Sequence, residues 1–138
     1  MRLHKNAKVE LLKGVPLFAA CSKAELQRIA TLADELDLAE GATLIREGER
    51  GREFLVIVAG SVGVTRGGRK LRDLGTGDFI GEIALVSDVP RTATVTATSP
   101  VRLLVVTDRA FRALIEQMPS IATKVLQSLG ERLHADAV

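Results

Sequence analysis

Two ionisable residues stand out by type and spacing in the run GEIALVSDVPRTATVTA, Gly81 to Ala97. Glu82 opens the run and Arg91 follows in a stretch otherwise rich in small and apolar residues. Glycine at position 81 lets backbone approach a ligand closely. The segment EIALVSD is too short and too apolar for an exposed loop. One helical turn followed by a bend before Pro90 fits it better. The start of such a turn offers free N–H groups and the positive end of a dipole, which together favour an anion. The amides of Ile83 and Ala84 would face that anion, and the small Ala84 permits close contact. Arg91 adds a full positive charge on a planar fork that suits a phosphate bidentately.

Glu82 has the opposite chemistry. Its carboxylate accepts hydrogen bonds from hydroxyls, and a ribose 2′-OH is the expected donor if the anion is a nucleotide. The competing reading pairs Glu82 with Arg91, or has them cap a turn. A buried ion pair is often no better for stability than apolar residues. Gly-Glu-small at a turn start plus a downstream arginine is also a denser constellation than a salt bridge requires.

Other chemistries find little material. The histidines, His4 and His134, lie near opposite ends of the chain, and Cys21 is the single cysteine. These make neither a metal-ligand cluster nor a Ser/His or Cys/His pair, so no enzyme, metal site or resident cofactor is expected. The run GTGDFIG, Gly75 to Gly81, superficially resembles a dinucleotide loop. Its third glycine comes one position too late and no long helix follows, so turn glycines are the expectation. Asp34, Glu35, Asp37 and Glu40 read as a solvated face rather than paired catalytic carboxylates.

Three zones must position the Gly81–Ala97 run. The first, about 8–36, reads as helical. SKAEL, Ser22 to Leu26, is a capping box, after which Leu26, Ile29, Ala30 and Ala33 share one helical face. Before it, Val9, Leu12, Val15, Leu17 and Phe18 form an apolar patch interrupted by Pro16, expected as two short turns. The second zone, about 37–107, is strand-rich and punctuated by glycine. EFLVIVAG reads as a buried strand, and SVGVTRGGRKLRDL as a hairpin around Gly67 and Gly68. TATVTATSPVRLLVV opens with Thr92, Thr94, Thr96 and Thr98 alternating against Ala93, Val95 and Ala97, a strand with one buried face. Several short strands between turns point to an all-β sandwich or barrel. The third zone, about 108–134, is helical: Asp108 is the expected N-cap, and Phe111, Leu114, Ile115 and Met118 share a face. After Pro119, a last helix carries Ala122, Val125, Leu126, Leu129 and Leu133 along one stripe. The zones read as one domain over 1–138.

Composition narrows the partners. Of the 138 residues, 46% are hydrophobic and 26% charged, a soluble globular mix with length for a real core. Four Phe are the only aromatics, which argues against stacking platforms for single-stranded nucleic acid. The net charge is +2 with basic residues spread along the chain, so no clustered nucleic-acid footprint is expected. Some thirty residues after the strand zone are already used by two helices, leaving no room for a helix-turn-helix module. No apolar run approaches the roughly 20 residues of a membrane span. The N-terminal MRLHKNAKVE lacks a secretory apolar region, and the lone cysteine fits a reducing compartment, so a cytoplasmic location is expected.

On these residues the chain resembles a known family. GDFIGEIALVSDVPRTATVTA is closely similar to the phosphate-binding cassette of cyclic nucleotide-binding domains. That family includes regulatory domains of cyclic-nucleotide-dependent kinases, of cyclic-nucleotide-gated channels and of catabolite activator-type transcription factors. LLKGVPLFAACSKAELQRIA, GATLIREGERGREFLVIVAGSVGV and AFRALIEQMPSIATKVLQSLGERL resemble the family's leading helices, β-roll and exit helices, so the likeness spans roughly Val9 to Leu133. It implies a mainly β fold, an antiparallel β-roll of jelly-roll type with an N-terminal helical segment and two C-terminal helices. It implies that Glu82 takes the ribose 2′-OH and Arg91 the equatorial phosphate oxygen. Amides near Ile83, Ala84 and Thr92 would complete the cradle, with Gly81 giving room. Thr92 stands where the family carries Ala, Ser or Thr. A hydroxyl there reaches the 2-amino group of a syn guanine, which leaves cGMP open beside the favoured cAMP. A residue of the last helix would cover the base, with Leu129, Arg132 and Leu133 as candidates. The expected function is a cAMP or cGMP sensor domain whose last helix moves on binding and signals to a downstream effector. The alternatives are an interaction domain on the same β-roll that binds no nucleotide, and a fragment of a larger cyclic-nucleotide-controlled transcription factor, channel or enzyme. Oligomeric state is left open.

Overall fold

The computed structural model describes the backbone of residues 3–136, and the side chains of those residues other than Glu82 and 132–136. It divides into two compact units, one formed by residues 34–108 and the other by the flanking segments 1–33 and 109–138.

The central unit follows from its strand patterns. Its strands, in chain order, are β1 (Asp34–Leu38), β2 (Thr43–Ile45), β3 (Glu53–Ala59), β4 (Val62–Arg66), β5 (Arg69–Leu74), β6 (Phe79–Ile80), β7 (Thr94–Ala97) and β8 (Val101–Thr107). They form two antiparallel sheets, ordered β1-β8-β3-β6 and β2-β7-β4-β5. This is the antiparallel β-roll with flanking helices that the sequence implies. Leu55 and Ile57 from one sheet and Ile45, Val62, Val64, Val95 and Ala97 from the other join in one apolar cluster with Val101 and Leu103. The Val, Leu and Ile side chains among them each contribute about 1.5–3 kcal/mol when fully buried. The contiguous apolar run of β3 reads true: Phe54, Leu55, Val56 and Ile57 are all buried. Gly67 and Gly68, both at positive φ, make the two-residue turn that joins β4 to β5 as a hairpin. The edge strand β5 carries Arg69, Lys70 and Arg72, all exposed.

Two expectations change here. The helical zone ends early, because β1 begins at Asp34 and its acidic residues ride on a strand; Asp37 holds Arg102 of β8 at 2.8 Å. The alternating strand begins at Thr94 rather than Thr92, with Thr92 and Ala93 in a bend. Alternation there continues past the point where pairing stops, since the register of β4 against β7 ends at Thr65 and Thr94.

In the flanking unit, α1 (Lys5–Lys13) precedes a 3₁₀ turn at Pro16–Phe18 and α2 (Lys23–Leu32). The segment before Pro16 is therefore one helix of nine residues rather than a short turn, and only Pro16–Phe18 is a single turn. The capping box forms as read: the Ser22 N–H donates to the Glu25 carboxylate at 2.7 Å, and the Glu25 N–H donates to the Ser22 hydroxyl at 3.2 Å. Accepting the Ser22 N–H holds the Glu25 carboxyl below its ordinary pKa, and Lys124 at 3.7 Å adds to this. The helices α3 (Asp108–Gln117) and α4 (Pro119–Asp136) complete the order, with Pro119 at the first helical position, where a missing N–H costs nothing. The stripe on α4 differs from expectation. Ile121, Val125 and Ser128 are buried while Leu126 is 68% exposed. Among the described residues no helix is long and apolar enough to cross a membrane.

Candidate functional site

The short strand β6 sets the site. It pairs with β3 through Leu55 with Ile80 and Val56 with Phe79, and Phe54 packs against Phe79 at a ring-centroid distance of 6.4 Å. The turn before it is built from the glycines of GTGD: the Asp78 carboxylate accepts the Gly75 N–H at 2.8 Å, and the Asp78 N–H returns to the Gly75 carbonyl at 2.9 Å. The chain therefore leaves β6 beside the start of β3, and Gly81 arrives next to Glu53. There it takes the left-handed conformation, φ 78 and ψ 25, which glycine adopts freely.

A single 3₁₀ turn, Glu82–Leu85, follows, as the sequence predicts. Ala84 and Leu85 are buried and anchor it. Ile83, Val86 and Val89 are each about 40% exposed, so the apolar character of the run does not translate into complete burial. The Ala84 N–H donates to the Gly81 carbonyl at 3.0 Å, the i to i+3 bond of the turn itself. That amide, expected to face an anion, reaches one only by sharing or exchanging this bond. The Glu82 side chain lies outside the described residues.

Arg91 is held by its backbone and its side chain. Its N–H donates to the Glu49 carbonyl at 2.7 Å, and its carbonyl accepts the Gly48 N–H at 2.8 Å. An antiparallel bridge between Arg50 and Pro90 and an exposed ion pair between Arg50 and Asp88 extend this contact between the 46–52 loop and the 88–92 segment. The Arg91 side chain is only 11% exposed. Its Nη2 donates to the backbone carbonyl of Glu53, and the Glu53 carboxylate lies 3.9 Å away on a side chain that is itself half-exposed. Burial pushes the Arg91 guanidinium below its ordinary pKa, with Glu53 opposing. An arginine stays protonated regardless, so the consequence is a largely buried cation that, among the described residues, has weak compensation. A polar cavity of about 110 Å³ adjoins it, lined by Thr43, Arg46, Glu49, Arg50, Glu53 and Arg91 among others.

Thr92 is exposed, and its carbonyl accepts from Arg66 Nε at 2.8 Å. Gly81, Ile83, Ala84 and Arg91 are thus gathered at one end of the β-roll, with Thr92 at its margin. Leu129 is partly buried on α4, whereas the side chains of Arg132 and Leu133 lie outside the described residues. Sequence reading missed Gly51 and Glu53, which border Arg91. The signal was faint: two glycines, Gly48 and Gly51, close together in EGERGRE, where only Gly48 serves a positive φ.

Comparison with known proteins identifies the fold and the family. The family described as cyclic nucleotide-binding domain matches residues 35–118. A cAMP-dependent protein kinase regulatory subunit of Mycosarcoma maydis is 39% identical over 141 residues, covering 93% of this chain and 27% of the relative. A cyclic nucleotide-gated potassium channel of Rhizobium etli is 36% identical over 123 residues, covering 89% of this chain and 34% of the relative. The chain therefore spans about a quarter to a third of the length of these curated relatives. The crystal structure of the N-terminal domain of a transcriptional regulator from Streptomyces coelicolor A3(2) superimposes with a TM-score of 0.85 at 31% identity, covering 91% of this chain and 94% of that one. With the fold and the family match in agreement, the chain belongs to the cyclic nucleotide-binding domain family.

Proposed function

We propose that this chain is a cyclic nucleotide sensor domain, with cAMP favoured over cGMP. The observation that carries the reading is the Arg91 side chain, largely buried beside the 3₁₀ turn and, among the described residues, facing one weakly placed carboxylate. A buried cation left this poorly neutralised is stabilised by an arriving phosphate. Arg91 takes the phosphate, the turn supplies amides, and Glu82 accepts the ribose 2′-OH. The likeness to a cAMP-dependent regulatory subunit favours cAMP, while Thr92 keeps cGMP within reach. Calorimetric titration with both nucleotides tests the reading. Micromolar or tighter binding of cAMP, and weaker binding of cGMP, is the expected result. Absence of binding at millimolar concentration of either returns the chain to an interaction domain.

Glu82→Ala should weaken cAMP binding by about 1.5–3 kcal/mol, the range for a hydrogen bond to a charged group. The same variant should show no further loss with 2′-deoxy-cAMP, because the hydroxyl it serves is gone. An equal loss with both ligands would remove the ribose assignment.

Ligand binding is further proposed to move the helix after Pro119, with Leu129, Arg132 or Leu133 covering the base. A ligand shifts such an equilibrium only by its differential affinity for the two states. Hydrogen exchange of the amides in α4 should slow when cAMP is added. Exchange that stays unchanged at saturation would place the response elsewhere.

A further inference from the structure

Gly51 lies in the loop between β2 and β3, is buried, and does not have a positive φ. Backbone conformation therefore gives no reason for glycine at this position. Space does. A Cβ built on Gly51 would lie 2.6 Å from Arg91 Nε, 2.7 Å from Arg91 Cζ and 3.0 Å from Arg91 Cδ. Its three nearest heavy atoms all belong to this one side chain. The room left by the missing methyl is taken up by Nε, Cζ and Cδ of Arg91.

The same loop already grips the backbone of the arginine segment. Gly48 and Glu49 bond Arg91 on both sides, and the Gly51 N–H reaches the Val89 carbonyl at 3.5 Å. The loop thus approaches the 88–92 segment too closely for any side chain at 51 to coexist with Arg91 where it stands. Since the obstructing atoms are side-chain atoms, an added methyl displaces the arginine and leaves the strands in place.

We propose that Gly51 is a positioning residue for Arg91: its lack of a side chain lets the β2–β3 loop close on the guanidinium and hold it where it meets the phosphate. The effect on affinity rests on the nucleotide reading above; the steric part does not.

The test uses Gly51→Ala in the whole chain. In protein without ligand, the Arg91 Nε–H resonance, assigned by its loss in Arg91→Ala, should move while the backbone amide spectrum of β3 and β8 is retained. Affinity for cAMP should fall by about 10- to 100-fold, the equivalent of one charge-assisted hydrogen bond. In an Arg91→Ala background, adding Gly51→Ala should leave the residual cAMP affinity, read by chemical-shift titration at millimolar ligand, within about twofold. An Arg91 Nε–H resonance that does not move overturns the proposal, as does a further loss of affinity in the Arg91→Ala background. A resonance that moves in a protein whose unmutated form binds neither nucleotide upholds the positioning and overturns the ligand reading instead.

Discussion

Arg91→Ala should weaken cAMP binding by about 2–5 kcal/mol, a loss of roughly 30-fold to several thousand-fold, while the protein stays folded. The two halves of this result have separate causes. The Arg91 side chain is 11% exposed and, among the described residues, meets one half-exposed carboxylate at 3.9 Å, so its net contribution to stability is small. Its removal gives up a hydrogen bond to the Glu53 carbonyl, worth about 1–3 kcal/mol, but also relieves the desolvation of a buried charge. The Tm should therefore shift by no more than about 3 °C. A phosphate held by the turn amides alone would lack the buried counter-charge that Arg91 supplies. Calorimetry and a melting curve on the same preparation check both halves. Unchanged affinity would end the assignment of Arg91 to the phosphate, and a collapse of the Tm would make the residue structural instead.

Gly81→Ala should lower both affinity and stability. The residue sits at φ 78, where an L side chain costs about 1–2 kcal/mol. Space adds a second penalty. A Cβ there would fall on Arg91 Nη1, and would lie 3.0 Å from Arg91 Cζ and 3.1 Å from the Glu53 carbonyl oxygen. The arginine can swing away, but the carbonyl belongs to the paired start of β3 and cannot. The Tm should drop by roughly 3–8 °C, and cAMP affinity should fall into the range expected of Arg91→Ala. An affinity within twofold of the unmutated chain would show that the guanidinium does not need this close approach.

The site was half legible in the residues. Gly81, Glu82, Ala84 and Arg91 lie within one continuous run, so local chemistry exposes a turn with an anion-binding start and a downstream cation. The hairpin at Gly67 and Gly68 and the capping box at Ser22 were equally local, and both form as read. What stayed hidden is made at long range. Glu53 and Gly51 reach Arg91 only after β6 pairs with β3 and the 46–52 loop folds onto the 88–92 segment. The true start of β7 depended on where its partner β4 ends, which alternation cannot show. On α4, a stripe with helical spacing put Leu126 inside, whereas Ile121, Val125 and Ser128 occupy the buried face. Periodicity gives a face but not its rotation, and rotation is decided by what the helix packs against.

The pairing of β1 with β8 has a consequence for how such a unit travels. These are the first and last strands of the roll, and they run antiparallel in register from Asp34 with Val105 to Leu38 with Val101. The chain thus enters and leaves the roll through adjacent ends of one strand pair, only a few ångströms apart. A host polypeptide interrupted by this unit has to close a gap no wider than a sheet spacing. The entropic cost of grafting it between two flanking segments is small, and those segments are delivered side by side.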